Sequence, residues 1–158
     1  MRYILIVFAL FFIGCSTKNY EHTQSKILII KSPLIKFADV GYIRNTDNSV
    51  SLELFVAGHR IQKIDINHLV CVDEGCMSKS GFNEEYLHKD YPDDILQNIL
   101  LSKPIYNSKN LIKTDDGFEQ NIRTENSLII YKVKSNSIYF KDKKNKIIIK
   151  IKNINSRE

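Results

Sequence analysis

The sequence VSLELFVA, residues 50–57, indicates a β-strand that buries one of its two faces. Its apolar positions 50, 52, 54 and 56 alternate with the other four positions, which is the two-residue period of a strand. A polar turn, NTDN at residues 45–48, separates this strand from a second extended stretch at residues 35–44. Together the three segments predict a β-hairpin.

Further extended stretches lie on both sides of this hairpin. A short strand is predicted at residues 27–30, and residues 61–66 and 69–72 are predicted to form two short strands or one bent strand. The C-terminal part returns to strands at residues 128–134, 138–141 and 146–154, which are separated by polar turns. Short polar turns between consecutive strands are typical of an antiparallel meander.

One helix is predicted at residues 92–102. Pro92 suits the first helical position, and the two carboxylates that follow it complement the positive end of the helix. Apolar residues then recur at the spacing of one helical face. The helix ends before Pro104, because the residue that precedes a proline avoids the helical conformation. A further short helical turn is a candidate at residues 83–89.

These elements predict a mainly β (β-rich α+β) fold. We expect an antiparallel sandwich or a partly open barrel, with one short helix around residues 92–102 across one end. A chain of 158 residues accommodates one such domain, which we place at residues 26–155. A parallel α/β fold is disfavoured, because most connections are too short to hold a crossover helix.

Residues 1–14 have the three-part layout of a secretory signal peptide. Arg2 supplies one positive charge, residues 4–13 are apolar, and Gly14 precedes Cys15. The apolar run is about half of the roughly 20 residues that a helix needs to cross a bilayer. We therefore expect cleavage rather than a permanent transmembrane anchor.

The junction Phe12-Ile13-Gly14-Cys15 resembles the lipobox of bacterial lipoproteins. This resemblance implies that Cys15 is diacylated, becomes the new N-terminus and is usually acylated again. Two or three acyl chains hold a protein on a membrane, whereas one chain binds only marginally. Residues 15–25 would then be the acylated cysteine and a flexible tether, since residues 16–25 contain no aliphatic side chain. The alternative is a soluble secreted protein that is cleaved nearby.

The resemblance to lipoproteins also bears on location. In Gram-negative lipoproteins an Asp after the acylated cysteine favours retention in the inner membrane. Ser16 occupies that position, so we expect the protein in the cell envelope, at the outer membrane rather than the inner membrane. Residues 71–104 also resemble small envelope lipoproteins of epsilon-class Gram-negative bacteria, and no activity is implied by that resemblance.

Cys71 and Cys76 are the only thiols left once Cys15 carries lipid. In an oxidising envelope we expect them to form a disulfide. The intervening Asp-Glu-Gly segment permits a tight chain reversal that brings the sulfur atoms together. A redox role is disfavoured, because four residues separate the cysteines rather than the two of the thioredoxin motif.

Basic residues concentrate near the C-terminus, where residues 131–152 hold eight lysines against one acidic residue. We interpret this segment as a basic sheet edge that could bind head-group phosphates of lipids or an acidic partner. Its candidate binding residues are Lys141, Lys143, Lys144 and Lys146. The alternative is that these lysines face solvent and prevent aggregation through an edge strand.

The sequence contains no recognisable catalytic or cofactor motif. A zinc site could be built from His68, Cys71 and Cys76 with His59 or His88 as a fourth ligand. The spacing of these residues matches no common zinc finger. We therefore predict no catalytic residue, no cofactor and no metal.

We interpret the protein as a lipid-anchored, non-enzymatic envelope protein, structural or adaptor in role, that binds an envelope protein or a cell-wall partner. It would contact the membrane through its N-terminal lipid anchor, and export disfavours nucleic acid as a partner. The alternative is a carrier for a lipid or another small apolar ligand, since a small barrel can enclose such a molecule.

Overall fold

The structure is a computed structural model that describes residues 22–46, 48–73 and 75–154. The predicted signal peptide, Cys15 and the first part of the predicted tether lie outside these residues. Residues 22–25 were expected in the tether but belong to the first strand. Their backbone pairs with residues 42–45 of the next strand, so pairing extends the strand into a stretch that has no apolar alternation.

Within the described ranges, eleven strands form a single antiparallel sheet. The strands are β1 (His22–Lys31), β2 (Lys36–Asn45), β3 (Val50–Val56), β4 (His59–Ile66), β5 (Val70–Val72), β6 (Gly75–Met77), β7 (Leu111–Thr114), β8 (Gly117–Arg123), β9 (Leu128–Lys134), β10 (Ser137–Asp142) and β11 (Ile147–Asn153). Their order across the sheet is β6-β5-β4-β3-β2-β1-β11-β10-β9-β8-β7. The first and last strands are therefore neighbours in the middle of the sheet, and β6 and β7 are its edges.

The predicted antiparallel, mainly β fold is confirmed. The predicted hairpin is the β2–β3 pair, and the predicted C-terminal meander is β9–β11. All eleven strands belong to one sheet, so they do not form a two-sheet sandwich, and the sheet is not closed into a barrel. No strand was predicted at β7 or β8, although Asp116-Gly117 at the turn between them is a local signal for a hairpin.

The segment between β6 and β7 carries the helices and connects the two edges of the sheet. It contains α1 (Lys79–Tyr86), α2 (Ile95–Leu100) and a 3₁₀ turn (Tyr106–Ser108). The Ser78 hydroxyl accepts a hydrogen bond from the backbone N–H of Gly81 at 3.0 Å and caps α1. The candidate turn at residues 83–89 overlaps the end of α1. The predicted helix at residues 92–102 is confirmed only in its centre, because residues 93–94 form a turn and Ser102 has a left-handed φ of 57°.

The helical segment packs on one face of the sheet, which we call the inner face. Buried side chains of this core are Leu28, Leu52, Ile64, Tyr131 and Phe140 from the sheet, and Phe82, Ile95, Ile99 and Ile105 from the helical segment. The rings of Tyr91 and Phe140 meet edge to face with centroids 6.0 Å apart. The Tyr131 hydroxyl donates to the backbone carbonyl of Lys103 at 3.0 Å. Helices therefore cover the core where a sandwich would have a second sheet.

Candidate functional site

Cys71 and Cys76 form the predicted disulfide. They lie opposite each other in the β5–β6 hairpin, with Cα atoms 3.9 Å apart. Asp73, in the turn between them, has a left-handed φ of 51°, and its carboxylate accepts a hydrogen bond from the backbone N–H of Lys63 at 3.0 Å. The disulfide ties the edge strand β6 to β5, and Asp73 ties the turn to β4.

The zinc alternative at this hairpin is not supported. Both of its sulfur atoms are in the disulfide, and His88 Nδ1 instead accepts a hydrogen bond from the backbone N–H of Asp90 at 3.3 Å. In the part of the chain that the structure describes, no group of three or more His, Cys, Asp or Glu residues is arranged to hold a metal ion.

The predicted basic segment does not form an edge of the sheet, so that part of the prediction was wrong. Lys141 lies on β10, an interior strand that is hydrogen-bonded on both sides, and has no free edge to protect. Lys143, Lys144 and Lys146 lie at the turn between β10 and β11 and are exposed. The Lys144 ammonium donates to the backbone carbonyl of Glu125 at 2.6 Å. Lys143, Lys144 and Lys146 therefore form an exposed basic turn at one end of β10 and β11.

Asp142, at the end of β10, is buried and fixes this turn. Its carboxylate accepts hydrogen bonds from the Tyr91 hydroxyl at 2.8 Å and from the backbone N–H groups of Leu128 and Lys144 at 3.1 and 3.0 Å. Burial alone would raise the pKa of Asp142, but the hydrogen bonds to its carboxylate, led by that of Tyr91, outweigh burial and lower the pKa. Asp142 is 0% exposed, so a substrate in solution cannot contact it. Its role is to stabilise the turn.

The outer face of the sheet carries an apolar patch flanked by lysines. We define the outer patch as Ile27, Ile29, Tyr139, Lys150 and Lys152, which line a shallow depression of about 420 Å³. Ile27 and Ile29 are 43% and 40% exposed, because the run KILIIK in β1 is apolar on both faces of the strand. Lys152 pairs with Ile27 and Lys150 with Ile29 across the β1–β11 ladder, and the Lys150 ammonium is 5.4 Å from the Tyr139 ring centroid. No pattern in the sequence indicates this patch, because it depends on the pairing of the first strand with the last.

A second concave surface, the terminal groove, lies at the end of the sheet opposite the β10–β11 turn. It measures about 430 Å³ and is lined by β1, β2, β11, the β9–β10 turn and the end of α2. Polar side chains on its walls include Gln24, Lys26, Asn45, Lys134 and Asn153. No sequence motif indicates this groove, because five separate segments contribute to it.

The chain matches no protein-family model, no curated protein and no solved structure. Among the described residues, no helix has the length and apolar character needed to cross a bilayer. Among the described residues, the outer patch is a concave apolar surface and the terminal groove is a concave polar one.

Proposed function

We propose that the protein is a lipid-anchored, non-enzymatic protein of the cell envelope, structural or adaptor in role, with the outer patch as its docking surface. One observation carries this proposal: the exposed pair Ile27 and Ile29 is flanked by Lys150 and Lys152 in the middle of the sheet. The solvent face of an antiparallel sheet is normally polar. An exposed apolar patch with a polar rim is typical of an interaction site.

The composition of the outer patch favours a protein partner over a cell-wall polysaccharide. Burial of Ile27 and Ile29 favours binding when the partner covers them with apolar surface of its own. A polysaccharide offers little such surface. Lys150 and Lys152 add positive charge, which favours a partner with acidic residues around an apolar centre. An envelope protein with such a surface is the partner that we expect.

The N-terminal leader supports attachment to a membrane. Phe12-Ile13-Gly14-Cys15 resembles a lipobox, and six residues separate Cys15 from His22, the first residue of β1. A fully extended connection of this length spans at most about 25 Å. An acylated Cys15 would therefore keep the start of β1 close to the bilayer, and Ser16 in place of Asp favours the outer membrane.

The filled inner face favours an adaptor over a carrier for a lipid or another small apolar ligand. In the core shared by α2 and the sheet, Ile95 and Phe140 are 0% exposed and Ile99 is 1% exposed. A carrier requires a continuous apolar space for its ligand. Here side chains occupy the space between the sheet and the helices.

Replacing Cys15 tests the anchor. Cys15→Ala should move the protein from carbonate-washed membranes to the soluble fraction, whereas the neighbouring change Thr17→Ala should leave it on membranes. The intact mass of the wild-type protein should equal residues 15–158 plus two or three acyl chains. An unlipidated mass, or a Cys15→Ala protein that stays on washed membranes, would contradict the anchor.

A photo-crosslinking amino acid at Ile29 tests the outer patch. We expect one defined protein adduct in intact cells, reduced roughly fivefold or more by Lys150→Glu with Lys152→Glu, because these changes repel an acidic partner. The same crosslinker at Ile112, which is 62% exposed on the edge strand β7, is the control and should give no such adduct. Two results would rule out the outer patch as the docking surface. One is an equal yield of adduct from both crosslinker positions, and the other is a yield from Ile29 that the charge reversal does not change.

A further inference from the structure

The terminal groove has an excess of hydrogen-bond donors over anionic groups. Lys26 and Lys134 supply two ammonium groups, and Gln24, Asn45 and Asn153 supply side-chain amides. None of the described residues that line the groove is Asp or Glu. Its volume of about 430 Å³ lies within the range of small-molecule sites.

Lys26 is the side chain that marks the groove as a site for an anion. Its ammonium donates to the side-chain oxygen of Asn153, and no carboxylate of the described residues lies within ion-pair distance of it. Partial burial lowers the pKa of Lys26, since its charge loses solvation without gaining an opposite charge. Lys134 differs, because the carboxylate of Asp116 lies 3.6 Å from its ammonium. An anion in the groove would supply the negative charge that the Lys26 ammonium has no carboxylate to provide.

We propose that the terminal groove binds a phosphate group carried by a small polar molecule. Lysine ammonium groups bind phosphate as point charges. The amides, together with the hydroxyls of Ser135 and Ser137, can donate to the remaining phosphate oxygens. The groove is larger than a bare phosphate requires, which leaves room for an esterified polar group such as glycerol.

Two sources can supply this group: the head group of an anionic phospholipid, or a soluble phosphate ester. The lipid source rests on the proposed anchor, because His22 lines the groove and lies within about 25 Å of extended chain from Cys15. The phosphate site itself rests on the groove alone and does not depend on the anchor.

Isothermal titration calorimetry on the full chain in a neutral detergent tests the site. The probes are inorganic phosphate, glycerol 3-phosphate and dihexanoylphosphatidylglycerol. We expect saturable binding of glycerol 3-phosphate that Lys26→Gln weakens about tenfold or more, because the positive charge that would pair with the phosphate is lost. Lys143→Gln removes the same charge at the opposite end of the sheet and should change the affinity less than about twofold.

The outcomes separate the site from its source. Tighter binding of dihexanoylphosphatidylglycerol than of glycerol 3-phosphate assigns the lipid head group, and equal or weaker binding assigns a soluble ester. Ser135→Asp places a carboxylate in the groove from the exposed β9–β10 turn. Ser135→Asp should also weaken the binding of glycerol 3-phosphate. This variant tests the site if the Lys26→Gln protein does not fold.

The proposal is wrong if no probe binds saturably, or if Lys143→Gln weakens binding as much as Lys26→Gln does. Cys15→Ala protein should still bind glycerol 3-phosphate. Failure of the anchor and failure of the phosphate site are therefore separate results.

Discussion

Asp142 joins three parts of the chain around one buried charge. Its carboxylate accepts hydrogen bonds from the Tyr91 hydroxyl of the helical segment, from the backbone of Leu128 in β9 and from the side chain of Asn145 in the turn, at 2.8, 3.1 and 2.8 Å. Desolvation, and then the hydrogen bond to Asp142, raise the pKa of Tyr91, so Tyr91 remains a donor at neutral pH. Changing the carboxylate therefore leaves several buried donors poorly satisfied.

This arrangement predicts a pH-dependent loss of stability. Because the pKa of Asp142 is lowered by folding, its contribution is complete above the unfolded value of about 3.9 and is lost as the pH falls through the folded value. We expect Asp142→Asn to lower the free energy of unfolding by about 2 kcal/mol at pH 7, and this difference to shrink below about pH 4. Urea unfolding across this pH range measures both effects.

The matched control is Asp93→Asn, which changes an exposed carboxylate and should alter the free energy of unfolding by less than about 0.5 kcal/mol. A penalty for Asp142→Asn that stays constant down to about pH 2 would mean that the carboxylate charge does not contribute.

Gly41 on β2 is required by the close approach of β3. A Cβ atom at this position would lie 2.6 Å from the backbone carbonyl oxygen of Glu53 and would also overlap the Leu28 side chain. The side chain can move, but the paired backbone of β3 cannot move without breaking the ladder. We expect Gly41→Ala to lower the free energy of unfolding by about 1–3 kcal/mol in urea. Gly75→Ala, whose nearest neighbour would be 3.8 Å away, should be close to neutral, and equal losses from both changes would refute this explanation.

The β5–β6 hairpin consists of two three-residue strands and depends on its covalent link. A hairpin of this length gains little stability from its own hydrogen bonds. We expect Cys71→Ser with Cys76→Ser to lower the free energy of unfolding by about 2 kcal/mol. Amide hydrogen exchange should become faster in β5 and β6 and change little in β9–β11, which are far from the hairpin in the sheet. Two reactive thiols at these positions in denatured, unreduced wild-type protein would show that the link is not formed.

The two helices are elements whose stability comes from packing. α1 has eight residues and α2 has six, and isolated helices of this length are not stable in water. Ile95, Leu96, Ile99 and Leu100 of α2 are all buried, so contact with the sheet maintains the helix. This explains why the predicted helix at residues 92–102 is helical only where its apolar stripe meets the core.

At the scale of the whole molecule, the first and last strands hold the domain together. β1 pairs with β11 from Lys26 opposite Asn153 to Lys31 opposite Ile148, and the helical segment connects the two outer edges across the inner face. Each half of the sheet therefore packs on the same core, and we expect the domain to unfold as one cooperative unit.

Ile95 tests this cooperativity, because it is 0% exposed in the shared core. Ile95→Ala should lower the free energy of unfolding by about 2–5 kcal/mol, with far-ultraviolet circular dichroism and tyrosine fluorescence reporting the same transition midpoint. Ile112→Ala, at a position that is 62% exposed, is the control and should change stability by less than about 0.5 kcal/mol. Two separate transitions would show that the halves of the sheet unfold independently.

The features that sequence analysis predicted correctly are local ones. The strand at residues 50–56 and the meander after residue 127 depend on the period of a strand, and each hairpin closes within a few residues. The predicted burial of only one face of that strand is wrong, because Ser51 and Glu53 are buried too, and Val56, beyond an irregularity at Leu54 and Phe55, is 45% exposed. Cys71 and Cys76 are five positions apart, so their pairing also needs only a short reversal. The lipid anchor at Cys15 stays a prediction.

Neighbouring residues encode the antiparallel β character of the chain, the centre of one helix and the cysteine pair, so these features were predictable before the structure was known. The tertiary structure shows that the strands form one open sheet covered by helices, and that β9, β10 and β11 lie in its interior rather than at an edge. It also created the outer patch and the terminal groove. Lys26 and Asn153 meet across 127 positions of sequence, and such long-range pairing leaves no periodic pattern in the chain, because it follows from how all the strands bury their apolar faces together.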